Sequence, residues 1–313
     1  MAHPLRNRPG PHGVARGIWI ALLAGGAACG AANTTATPVV AASASPQSLP
    51  ATAWASPSPH VETPSASPTA VCTETALTVV DLTYPGHLLR EAIPLHVFLP
   101  PCYAPGGRLY PAVVLFHGKP FDELHWDEVG LDEAAGTGMG AGDLPPAILI
   151  MPRVPEPLFS KSDGGPGSYE EEVLEGLLPF VSSTWPIEHL SIAGISRGGV
   201  WALEIGLRNP EVFETVAAFS PALAVNYARP AYDPLAVAMS GARLPESVFL
   251  GAGQTDWARP KTLALDAALL AAGLTTDLEI VSGDHETATW AALLEPYLQF
   301  LATAWDDTAG GGG

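Results

Sequence analysis

From residue 72 onward, apolar and polar positions alternate in two distinct registers. Residues 76–82 (ALTVVDL) and 93–99 (IPLHVFL) are rich in β-formers, and nothing of helical spacing lies between them. They predict an antiparallel opening pair of strands. Residues 112–116 (AVVLF) and 147–151 (AILIM) are unbroken apolar runs, as expected of strands buried on both faces. Further short runs at 190–193, 215–219, 247–251 and 277–281 bring the predicted strands to eight. Between the later strands lie helical stretches, at about 169–184, 198–208, 260–272 and 287–304. Such alternation predicts an α/β fold, a mostly parallel eight-stranded sheet with helices on both faces. Ligands of such sheets bind beyond the carboxyl ends of the strands, so the turns leaving those ends are where chemistry is sought. There is no internal repeat and no heptad run.

The first 71 residues follow neither register. Residues 1–16 carry Arg6, Arg8 and Arg16 and no acid, and an apolar run, GIWIALLAGGAA, fills 17–28. A run of about 12 residues is short for a membrane span and suits the core of a secretory signal. Gly26, Ala27 and Ala28 precede Cys29, an arrangement that resembles a bacterial lipoprotein cleavage box, with Gly26 departing from it. Cys29 is the candidate lipidation site; the alternative is an ordinary signal peptide cut nearby. Residues 30–71 are nearly all Ala, Ser, Pro and Thr and cannot bury enough apolar surface to offset their ordering entropy. The expected organisation is a signal peptide over 1–29, a tether over 30–71, a folded domain over 72–305 and a polar, glycine-ended tail over 306–313. The expected location is outside the cell, either as a surface lipoprotein or secreted.

Composition narrows the partners. Of 313 residues, 47% are apolar and 15% charged, so most of the chain can bury a core. Lys and Arg total 14 against 32 acids, a net charge of −18. That balance argues against nucleic acid and against an anionic membrane surface, both of which need basic patches; a Cys29 lipid is the one route to a membrane. Three cysteines are too few for a disulfide scaffold and too poorly spaced for a zinc site. In an oxidising compartment Cys72 and Cys102 are expected to pair, closing a loop of about 30 residues worth roughly 3–4 kcal/mol. Two buried thiols are the alternative.

The strongest chemical signal is Gly194-Ile195-Ser196-Arg197-Gly198-Gly199, between a predicted strand and a predicted helix. A serine nucleophile needs a sharp turn that lifts its hydroxyl above the sheet, and Gly194 and Gly198 suit the crowded backbone of that turn. The competing reading is a glycine-rich turn with a capping serine. A serine also needs a base, and a carboxylate to orient the base. Downstream of Ser196 the only histidine is His285, just past the last strand. Asp256 is the only acid in the turn that leaves strand 247–251; Asp266, inside the next helix, and Asp284, adjoining the histidine, compete with it. An oxyanion requires backbone N–H donors. Arg197 is one candidate, and Gly118 or Lys119 the other, since Pro120 has no N–H; Lys119 is preferred. His117, which ends the third strand, is read as structural, shaping that loop.

At these residues the chain from about 72 to 305 resembles the esterase D branch of the α/β-hydrolases, which includes feruloyl, acetylxylan and enterochelin-type esterases, S-formylglutathione hydrolases and mycolyltransferases. The resemblance is carried by VFLPPCY at 97–103, YPAVVLFHG at 110–118, the helix SYEEEVLEGLLPFVSSTWPI at 168–187, GISRGG, and GDHETATW with Trp290. The oxyanion loop HGKPFDELHW is poorer in glycine than in many relatives, and 152–167 matches no subgroup. The resemblance implies an α/β-hydrolase fold and a serine esterase that needs no metal or organic cofactor. With no large insertion between the strands to make a lid, an open cleft suited to a bulky or polymer-linked ester is expected. An acyltransferase of the same fold and a non-catalytic tethered binding module are the alternatives. A peptidase is disfavoured, because no large insertion supplies a lid.

Overall fold

The computed structural model describes Glu74 and residues 76–310. The expected signal peptide, the tether, Cys29 and Cys72 lie outside the described residues. The described strands are β1 (Thr78–Pro85), β2 (Ala92–Leu99), β3 (Tyr110–Phe116), β4 (Ile148–Pro152), β5 (Ile187–Ile195), β6 (Thr215–Phe219), β7 (Ser247–Gly253) and β8 (Thr276–Val281). They form one sheet in the order β1-β2-β4-β3-β5-β6-β7-β8. β1 and β2 pair antiparallel, because the short connection over 86–91 cannot make a crossover. β2 also runs antiparallel to β4, and every pairing from β4 to β8 is parallel. The fold is that of an α/β-hydrolase.

The order of the strands places the site. The chain leaves β3 for β4 on one side and returns to β5 on the other, so a crevice opens at the carboxyl ends of β3 and β5. The register puts Leu115 opposite Ala193 and Phe116 opposite Gly194. The turns after β3 and β5 therefore emerge side by side. All seven residues of β3 are buried, which accounts for its unbroken apolar sequence.

The helices are α1 (His125–Val129), α2 (Leu131–Ala141), α3 (Tyr169–Glu172), α4 (Leu178–Thr184), α5 (Arg197–Arg208), α6 (Pro234–Ala238), α7 (Arg259–Ala271), α8 (Thr287–Ala292) and α9 (Leu294–Gly310). They cover two separate cores. One face of the sheet packs against α3 to α7, around Tyr169, Trp201 and Leu265. The other packs against α1, α2, α8 and α9, around Trp126, Leu131 and Tyr297. α5 is buried from Gly198 to Leu207, so it is the central helix of its layer.

Three differences from the sequence expectation have physical causes. α1 and α2 are not legible in the sequence, because α2 carries Gly136, Gly138 and Gly140 and such residues disfavour a helix locally. Burial of Leu131, Ala135 and Met139 along one face holds it instead. The stretch 169–184 is not one α-helix; a π turn over Val173–Leu177 joins α3 to α4. The tail expected from Asp306 is also corrected, since α9 runs on to Gly310. Buried Tyr297, Leu301 and Trp305 anchor that helix, and adding a residue to an existing helix is far easier than nucleating one.

Candidate active site

Ser196 is the single residue between β5 and α5. Its backbone sits at φ 54° and ψ −112°, a conformation that L-residues adopt only under constraint. The constraint comes from both flanks. A Cβ on Gly194 would lie 2.2 Å from the Gly198 carbonyl oxygen, and one on Gly198 would lie 2.4 Å from that of His117. The Ser196 N–H donates to the Phe219 carbonyl (2.8 Å), and its own carbonyl accepts from the Ala222 N–H (3.0 Å). Gly198→Ala should therefore destabilise the domain by about 2–3 kcal/mol through overpacking. Gly140→Ala, where a Cβ meets nothing within 4 Å, should stabilise α2 instead. Paired calorimetric melts check this; equal melting temperatures for the two variants would contradict it.

His285 lies in the loop between β8 and α8. Its Nε2 is 2.9 Å from Ser196 Oγ, and its Nδ1 is 2.9 Å and 3.1 Å from the two carboxylate oxygens of Asp256. Asp256 is buried in the turn between β7 and α7, and its Oδ1 accepts the Ala258 N–H at 2.7 Å. Burial pushes its carboxyl upward. His285, the Ser220 hydroxyl and the Ala258 N–H together outweigh that and hold it below the ordinary aspartate range. The turns bearing the acid and the histidine are joined by backbone bonds, Gln254 N–H to the Val281 carbonyl (2.7 Å) and Thr255 N–H to that of Gly283 (3.0 Å).

The two competing acids are engaged elsewhere. Asp266 accepts the Thr276 hydroxyl. Asp284 accepts the backbone N–H of His285 at 2.8 Å, which holds the histidine's main chain and leaves its ring to Asp256.

The loop after β3 is fixed by two buried imidazoles. The Gly118 N–H donates to His125 Nδ1 (3.1 Å), so Gly118 is not a free donor. His117 Nδ1 donates to the Gly118 carbonyl (3.0 Å), and its Nε2 accepts the Val154 N–H (2.9 Å). Burial pulls His117 down to about 4 and His125 down to about 3, so both are neutral at pH 7. Lys119 and Arg197 keep their backbone N–H groups without a hydrogen-bond partner among the described residues. Arg197 directly follows Ser196, and the turn after β3 borders it, since a Cβ on Gly118 would lie 3.4 Å from that of Ser196.

Sequence reasoning singled out Trp290 but missed His125 and the rest of the aromatic frame. Phe121 stacks on His125 at 3.8 Å, Trp290 meets the His285 ring edge-on at 5.3 Å, and Trp257 lies 4.5 Å from that ring. HGKPFDELHW contains both Phe121 and His125, but nothing in their spacing indicates that they meet. Among the described residues no group of three or more His, Cys, Asp or Glu side chains is arranged to hold a metal ion. A serine, an imidazole and a buried carboxylate in one hydrogen-bonded line, beside two free N–H donors, is a geometry that supports acyl transfer through an acyl-enzyme.

Solved structures share this fold at low identity. A ferulic acid esterase matches at 21% identity, covering 73% of this chain and 98% of its own, with a TM-score of 0.64. An S-formylglutathione hydrolase from Staphylococcus aureus matches at 17% identity, covering 72% and 99%, with a TM-score of 0.61. A ferulic acid esterase from Anaeromyces mucronatus matches at 17%, covering 73% and 92%, with a TM-score of 0.60. Residues 86–304, more than two thirds of the chain, match the model of the family described as "Putative esterase", and the protein belongs to that esterase family.

Proposed function

We propose that this esterase is an exported serine carboxylic-ester hydrolase in which Ser196, His285 and Asp256 act as one unit. The observation that carries the reading is the 2.9 Å contact of His285 Nε2 with Ser196 Oγ, backed by the Asp256 carboxylate. His285 takes the hydroxyl proton as Ser196 attacks the ester carbonyl, then delivers it to the leaving alcohol. Arg197 and Lys119 N–H groups take the oxyanion. Water, activated by the same imidazole, releases the acid and restores Ser196.

The Ala222–Ser196 hydrogen bond holds the 222–227 turn beside the nucleophile. That turn exposes Val225 and Tyr227, and Trp257 is 45% exposed beside His285. An open apolar rim favours a bulky or polymer-linked ester. The test is a panel of p-nitrophenyl acyl chains, methyl ferulate and acetylated xylan, read as release of acid and alcohol together. Failure of every ester would overturn the reading.

Export and the cysteine bridge belong to the same proposal. Fractionation of tagged full-length protein in a bacterial host should place it outside the cytosol. Cys29→Ser should release it from the membrane fraction, and unprocessed protein in the cytosol would contradict export. Cys102 lies in the loop after β2 at φ 55°, before the strand that leads to the oxyanion loop. Pairing with Cys72 should leave no titratable thiol in that domain when denatured without reductant. Loss of the bridge should lower the melting temperature, by roughly 3–4 kcal/mol of stability, and spare ester turnover.

A further inference from the structure

The segment 152–167 leaves the carboxyl end of β4 and adds no atom to the Ser196–His285–Asp256 line. It is nevertheless tied, through their side chains, to the two residues proposed above as oxyanion donors. Arg197 Nε donates to the Phe159 carbonyl (3.1 Å), and Nη2 donates to that of Lys161. Lys119 Nζ reaches the Glu156 carboxylate and the Ser160 hydroxyl (2.7 Å). Arg197 also points the other way, with Nη1 donating to Asn226 Oδ1 (2.9 Å) in the turn that holds the Ser196 carbonyl.

The Asn226 amide is itself oriented, because its Nδ2 donates to Glu204 Oε1 (2.9 Å) on α5. Glu204 is fully buried. Burial pushes its carboxyl up to about 8 against the pull of Asn226 and Arg197, which favours the neutral acid at pH 7. A charged, planar donor facing three oxygens in two loops is a task for arginine and not for lysine. The Lys119–Glu156 pair is half exposed and contributes less.

We propose that residues 156–161 form the specificity wall of the cleft, and that Arg197, oriented by Asn226 and Glu204, is its positioning residue, with Lys119 a weaker second tie. The proposal rests on Ser196 as nucleophile. Loosening the wall penalises esters large enough to reach it more than small ones.

The experiment compares wild type, Arg197→Met, Arg197→Lys, Asn226→Ala and Lys119→Met. It measures KM and kcat for p-nitrophenyl octanoate and p-nitrophenyl acetate, and amide hydrogen exchange over 156–161 and 222–227. Arg197→Met should raise the octanoate KM about tenfold, with a smaller rise for acetate. Exchange should accelerate in both segments. Arg197→Lys should fail to restore either, and Asn226→Ala and Lys119→Met should shift both measures in the same direction by less. Equal KM changes for the two esters, or unchanged exchange in the two segments, would overturn the proposal. If Arg197→Met does not fold, Asn226→Ala decides by the same two measures. Ser196 is tested separately by fluorophosphonate labelling of the wild type. Absence of label would overturn the nucleophile, while the exchange comparison still judges the wall.

Discussion

Ser196→Ala should lower ester turnover by about 10⁶-fold and abolish labelling by a fluorophosphonate, with the fold intact. The alanine inherits the backbone at φ 54°, which costs it no more than it costs serine, so the melting temperature should hardly move. His285→Ala should fall to the same level, and the double variant no lower, because nucleophile and base act as a unit. What remains in each case is the contribution of the oxyanion donors and of binding. Retention of full turnover by Ser196→Ala would show that the hydrogen-bonded line is not the reacting centre.

Asp256→Asn should cost on the order of 10⁴-fold in kcat, less than removal of the serine. The hydrogen bonds explain the size. Oδ1 of Asp256 already accepts the Ala258 N–H at 2.7 Å, so an asparagine would turn its amide oxygen to that donor and its NH₂ toward His285 Nδ1. Nδ1 would then have to accept, and the ring proton would move to Nε2, where it faces Ser196 Oγ. In that tautomer the imidazole cannot take the hydroxyl proton. Asp266→Asn should affect stability alone, through the Thr276 contact. Asp284→Asn should have a modest effect, since it touches only the histidine's main chain. Near-full activity in Asp256→Asn would move the orienting acid to another loop.

The eight strands were legible because each is a short run of recognisable kind: mostly apolar residues in the buried parallel strands, alternation in the edge strand β8 and β-rich residues in the opening pair. The nucleophile turn was legible because glycine is required on both sides of Ser196, and His285 because no other histidine follows. The preference for Lys119 over Gly118 as oxyanion donor had no basis in the spacing that a contact could confirm. Which of the two N–H groups is occupied depends on His125 taking that of Gly118, a contact made by packing α1 under the loop. α2 was hidden by its own glycines, and the break between α8 and α9 at Leu293 by a helical pattern that runs straight through it. The ties from Arg197 and Lys119 to 156–161 were beyond reach, because they join positions about 40 residues apart and follow no period.

Ser196 and His285 are 89 residues apart in the chain, and this separation has a meaning in time. During synthesis at about 5–20 residues per second, the serine is added to the chain roughly 5–20 seconds before its base. In that interval β3, β5, β6 and α5 are all available to assemble, and the nucleophile turn forms with no partner to activate it. On the proposed roles of Ser196 and His285, a nascent chain is chemically silent toward esters in its surroundings until β8 and the loop beyond it arrive. A frameshift anywhere between the two residues yields a product that carries the nucleophile turn and cannot use it.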